Sequence, residues 1–200
     1  MYKNMKVLKI INICLILAII FVLSSFFYAH AYDLKGHKLN TDYVLTFVPY
    51  FEFTDLTIEH FNNSVNSWNN AAGKRLMSIS GERHYTTGYW KDDDKHYIYK
   101  EVRTDIDYVG RTKYFYSAWN SKILKSADIL INSRYSFANS QREDRYDTWS
   151  VFIHEAGHAA GLAHTNLDDF NVVMNEGIKK NFLRRNLHSD DISGIKYLYS

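Results

Sequence analysis

The sequence predicts an α+β domain, and three features carry that reading. Short β-branched and aromatic runs fill much of the chain up to residue 132, one amphipathic helix interrupts them, and two helical segments come late. With 46% hydrophobic and 23% charged residues, the 200-residue chain can bury one real core and is not a disordered chain. Its net charge of +2 arises at the N-terminus. Setting aside Lys3, Lys6 and Lys9 leaves 21 of the 24 basic residues against 22 acidic ones, so the remainder lacks the basic surplus of a nucleic-acid binder. Cys14 is the single cysteine, so no disulfide can form within the chain.

The elements follow in order. Residues 43–48 are β-branched and aromatic and suit a strand that Pro49 ends. In residues 55–72, Leu56, Ile58, Phe61, Val65 and Trp68 recur at helical spacing, and Gly73 stops the helix. Residues 75–80, 97–103 and 113–119 read as further strands. Residues 127–132 read as another, with Ile129 and Ile131 alternating against Asp128 and Leu130. Residues 133–147 are polar and irregular. Residues 148–160 are strongly helical, and 190–199 form the last helix, with Ser189 as N-cap and Asp190 and Asp191 in the first turn.

Residues 1–31 read as a secretory signal. Three lysines precede an apolar run, and Ala29-His30-Ala31 offers the small-x-small pattern of a cleavage site. Residues 32–200 are then one secreted, extracellular domain. An uncleaved membrane anchor is the alternative, because residues 10–28 are about long enough to span a bilayer, and the domain lies outside in either case.

One stretch carries chemistry: His154-Glu155-Ala156-Gly157-His158-Ala159-Ala160-Gly161-Leu162-Ala163-His164. On a helix, positions i and i+4 share a face, so His154 and His158 can offer two imidazole nitrogens to one ion. Glu155 stands about 100° round the helix, beside the open side of that ion. Gly161 can take the left-handed conformation that ends a helix, and the chain can then return His164 as a third ligand. Three neutral imidazoles suit one Zn²⁺ and leave a fourth position open, which is the layout of a catalytic site.

This motif resembles that of the metzincin zinc proteases, which also place a methionine in a tight turn beneath the metal, and Met174 lies ten residues after His164. The nearest branch is the matrixins: His164-Thr165 is similar to their His-Ser, and residues 189–199 look like their closing helix. The resemblance implies a twisted, mostly parallel sheet with an antiparallel edge strand, an active-site helix and a C-terminal helix. It implies a zinc endopeptidase acting as a monomer on protein or peptide substrates, with Glu155 as general base and Met174 as a packing floor. Ala127, Asp128, Ile129, Leu130 and Ile131 look like the family's substrate-binding edge strand. Residues 175–186 are expected to wall the pocket for the side chain after the scissile bond. Within them Lys179, Lys180, Arg184 and Arg185 read as a solvated face, with attraction for acidic substrates as the alternative. Asp190 or Asp191 is expected either to hold the Met174 turn or the new N-terminus, or merely to complement the helix dipole. Glu176 replaces the proline usual in matrixins and the tyrosine usual in astacin-like relatives. His84 and His96 are isolated and read as ordinary loop or strand residues. Lys91-Asp92-Asp93-Asp94 can bind Ca²⁺ or form a solvated turn. The competing function is a zinc-holding secreted binding or adhesion module with little turnover, which has no need of Glu155.

Overall fold

The computed structural model describes residues 32–88, 93–117 and 119–200. The signal-like segment 1–31, with Cys14, and Lys91 and Asp92 of the acidic turn lie outside these residues. Among the described residues no helix is long and apolar enough to cross a membrane. Among the described residues eight strands are present: β1 (Lys38–Leu39), β2 (Leu45–Pro49), β3 (Met77–Ile79), β4 (Tyr97–Glu101), β5 (Gly110–Tyr116), β6 (Ile123–Asn132), β7 (Phe137–Ala138) and β8 (Tyr146–Asp147). Three helices accompany them among the described residues: α1 (Asp55–Ala72), α2 (Thr148–Ala159) and α3 (Ser189–Tyr199).

The main sheet runs β3-β2-β4-β6-β5, with every neighbouring pair parallel except β5 with β6. β1 extends it by pairing with the start of β6, Lys38 opposite Ile123. This is the expected α+β architecture, a mostly parallel sheet with one antiparallel edge strand.

The identity of that edge strand differs from the expectation. Ala127, Asp128, Ile129, Leu130 and Ile131 belong to β6, which is paired along both edges: Ile98 faces Ile129 on the β4 side, and Tyr114 faces Ala127 on the β5 side. Ala127, Ile129 and Ile131 point into the main core, while Leu130 packs with Tyr97 and Tyr99 on the opposite face. Asp128 spends a carboxylate oxygen on the backbone N–H of Tyr97 at 3.0 Å. A strand covered on both faces and both edges cannot take up a peptide. The edge strand is β5, which begins three residues earlier than its aromatic run suggests.

α1 lies over the sheet because its stripe is buried. Phe61 and Trp68 are fully covered, whereas Leu56, at the solvent end of the same stripe, is half exposed. The Thr54 hydroxyl caps the first turn by accepting from Thr57 N–H at 3.3 Å, and Gly73 closes the helix at φ 65°. The Trp68 indole N–H donates to the Ile153 carbonyl at 2.8 Å, and the Phe61 and Phe152 rings lie 4.2 Å apart between centroids, which fixes α1 against α2. α3 is tied in by Tyr199, whose hydroxyl donates to the Ala160 carbonyl at 2.8 Å and accepts from Leu39 N–H at 2.9 Å. Its N-cap is His188 rather than Ser189. The His188 ring accepts from Asp190 N–H at 3.2 Å, and the Asp191 carboxylate accepts from His188 N–H at 2.8 Å, so the reciprocal pair moves the cap one residue upstream.

Candidate metal centre

α2 starts where the Asp147 carboxylate accepts from Ser150 N–H at 2.9 Å, and its residues are buried from Ser150 to Ala159. It therefore carries its histidines through the core, where their polar atoms must be satisfied. His154 Nδ1 meets the Val173 carbonyl at 2.7 Å, and His158 Nδ1 meets the Leu162 carbonyl at 2.8 Å. A carbonyl only accepts, so both Nδ1 atoms donate, and both Nε2 atoms carry bare lone pairs. Gly161, at φ 104°, turns the chain at the end of the helix. A side chain there would meet the His37 carbonyl oxygen at 2.5 Å. That turn brings His164 back until its Nε2 lies 3.0 Å from His158 Nε2.

The ligand atoms of His154, His158 and His164 all lie within 4.8 Å of one another, and they form the one such cluster among the described residues. Burial pushes all three imidazoles down, His154 well below its ordinary value and His158 to about 3, with repulsion from neighbouring imidazoles adding to the effect at His154 and His158. They are neutral at physiological pH. Converging lone pairs with no proton to satisfy them suit a cation, and three neutral nitrogens suit Zn²⁺.

Glu155 is buried and faces β5. Its Oε2 accepts from the Thr112 hydroxyl at 2.7 Å, and that hydroxyl also reaches the Glu155 backbone oxygen at 2.9 Å. Burial raises the carboxyl to about 7 against the opposing donation from Thr112. A cavity of about 850 Å³ opens here. It is lined by the three histidines and Glu155, by residues of β5, and by Tyr146, Glu176 and Ile178.

Met174 lies beneath the helix, 2% exposed, in a turn closed by Asn175 N–H to the Val172 carbonyl at 3.1 Å. Asp191 holds this turn. One carboxylate oxygen accepts from Val173 N–H at 2.9 Å and the other from Met174 N–H at 3.0 Å. Asp190 instead accepts from the Thr165 hydroxyl at 2.8 Å, beside the third histidine. Because Val173 also supplies the carbonyl that orients His154, Asp191 supports the ligand set indirectly. Asp191→Asn keeps one acceptor and turns an amide toward the N–H groups it leaves. The expected loss is about 2 kcal/mol of stability, together with weaker metal binding, and denaturation with a zinc titration on the same sample checks both.

The wall beyond Met174 departs from the expected solvated face at its two arginines. Arg184 is 4% exposed and donates to the Gly177 carbonyl at 2.9 Å, while Arg185 pairs bidentately with Asp147 and lies over Trp149. Lys179 stands 3.2 Å from the Phe170 ring centre. The two arginines build the wall, whereas Lys179 and Lys180 are exposed, as a solvated face requires. His84 packs against Tyr50, Tyr97 and Tyr99 and contacts the Ile98 carbonyl at 3.1 Å, so it is a strand-associated core residue. Sequence reasoning missed Gly110 and Thr112. Gly110 did carry a signal, since a glycine opening a strand marks a close backbone approach.

The matrixin family model matches residues 54–200. A search of curated proteins finds no match. Among solved structures, a chain of the GM1-bound form of the ECX AB5 holotoxin is similar at 14% identity over 78% of this chain and 80% of that one, with a TM-score of 0.43, a likeness too slight to carry an argument.

Proposed function

The chain belongs to the matrixin family of zinc metallopeptidases, and from that membership we propose that it is a secreted endopeptidase that hydrolyses peptide bonds with Glu155 as general base. The observation that carries the reading is the buried Glu155 carboxylate, set between an imidazole triad and an edge strand on one open cavity. His154, His158 and His164 would hold Zn²⁺, which when bound polarises the scissile carbonyl and acidifies water. Glu155 accepts a proton from the attacking water and returns it to the leaving amine. No described strand pairs with the outer edge of β5, so an extended peptide can add there and lay its backbone across the cavity. Tyr146, Glu176 and Ile178 then meet the side chain that follows the scissile bond. Export rests on residues 1–31 alone.

The test is peptide-library cleavage with metal analysis of the same dialysed protein. One zinc per chain is expected, with activity abolished by a chelator and restored by zinc. Cleavage that a chelator leaves intact, or a zinc-loaded protein that cleaves nothing, would overturn the proposal. The second outcome would favour a binding module.

A further inference from the structure

We propose that Thr112 is the positioning residue for the general base: its hydroxyl pins Glu155 Oε2 and so assigns proton transfer to Oε1. The proposal rests on the protease reading, which makes Glu155 the base. Three observations point to it. The Thr112 side chain is buried, and its hydroxyl donates to Glu155 Oε2 at 2.7 Å. No side chain of a described residue donates to Oε1, and the other donor acting on the carboxylate is the backbone N–H of Thr112 itself. Gly110, two residues earlier on the same face of β5, lacks the Cβ that would come within 2.9 Å of Oε1 and 3.1 Å of Glu155 Cγ.

The clamp has two parts with different physics. The missing side chain at position 110 lets the strand backbone press against the Glu155 side chain and limits its rotamers by contact. The hydroxyl at position 112 then selects one orientation within that space, because a charge-assisted hydrogen bond to a buried carboxylate is stronger than one between neutral groups. With one lone pair of Oε2 engaged and that oxygen held against Thr112, Oε1 is the oxygen freer to take a proton. In the reaction an O–H bond of water breaks, its electron pair goes to the new carbon–oxygen bond as the carbonyl π pair moves onto the carbonyl oxygen, and the proton goes to Oε1. The same proton passes to the amine nitrogen, the carbonyl re-forms from the oxygen's pair, and the carbon–nitrogen bond breaks with its pair leaving on nitrogen.

β5 thereby serves two ends at once. Its outer edge is where an extended peptide would add, and its inner face holds the base. A peptide that orders β5 also orders Glu155, which links substrate alignment to proton acceptance through a single strand.

The experiment compares Thr112→Ala, Thr112→Val and Thr112→Ser in the full chain, each with its zinc content measured. Ala and Val both remove the hydroxyl, and Val keeps the shape. Each is expected to lower kcat about 10- to 100-fold, the scale of a misplaced catalytic group, while KM stays within about twofold because the peptide contacts lie on the outer edge. Ser restores the hydroxyl and is expected within about threefold of the parent. A Val or Ala variant that keeps its zinc and the parental kcat would overturn the proposal, and so would a Ser variant as impaired as Ala. Should the parent itself cleave no peptide, the protease reading fails. The clamp is then read from a crystal structure of Thr112→Ala, where the Glu155 carboxylate is expected to leave its place beside β5, and an unmoved carboxylate overturns it.

Discussion

Replacing Glu155 with Gln is expected to abolish most turnover while leaving the metal in place. The amide keeps the length of the side chain and one carbonyl oxygen, so Thr112 retains an acceptor and the fit against Gly110 survives. His154 and His158 keep their backbone partners at Val173 and Leu162, because neither contact involves position 155. Zinc content and folding should therefore match the parent. What is lost is a group that takes a proton at neutral pH. A positioned general base contributes about 10²–10⁴-fold, or roughly 3–5 kcal/mol of transition-state stabilisation at about 1.4 kcal/mol per tenfold. The measurement is kcat on a peptide substrate, with zinc assayed in the same tube. A zinc-loaded variant cleaving within about threefold of the parent would mean that another group accepts the proton.

The part of the site legible in the sequence is the part governed by helical geometry. Spacing of four places His154 and His158 on one face whatever surrounds them, and Gly161 announces the turn that returns His164. The same local logic recovers α1, whose apolar stripe and Gly73 are visible in the one-dimensional pattern. The errors fall where pairing between distant segments decides. β6 was read as an edge strand by resemblance, yet Ala127, Ile129, Leu130 and Ile131 make a nearly continuous apolar run, the mark of a strand buried on both faces. β5 sets Arg111 and Lys113 ahead of three aromatic residues, and its Arg111, Lys113 and Tyr116 are exposed, as suits an edge. Thr112 carries no signal of its own, since only the packing of α2 on the sheet brings its hydroxyl to Glu155. The burial of Arg184 is hidden from the sequence for a similar reason. A cation in a polar loop reads as solvated, but the loop folds back so that the guanidinium satisfies its own carbonyls.

Gly157→Val is expected to damage both the fold and the metal site. Gly157 lies between the two helical histidines, where glycine is otherwise a poor choice: Ala in its place would gain about 1 kcal/mol of helix propensity. The structure explains why that gain is not available. A Cβ at position 157 would collide with Met174 Sδ and would lie 2.6 Å from Trp68 Cζ2. The end of Met174 can yield, but Trp68 is held by its bond to the Ile153 carbonyl at 2.8 Å and is fully buried. Overpacking of this kind costs about 1–3 kcal/mol, enough to cancel the propensity gain for Ala. Val adds two further carbons to a space already closed and carries the poorer propensity of a β-branched residue. A loss of at least ~3 kcal/mol is expected, at the top of that range. The strain passes through Met174 to Val173, whose carbonyl orients His154, so zinc affinity should fall with stability. Denaturant unfolding of the metal-free protein, followed by zinc titration, separates the two effects. A Val variant within about 1 kcal/mol of the parent, a difference that surface substitutions approach, would show that Met174 and Trp68 can retreat together and that the floor beneath the histidines is softer than its packing implies.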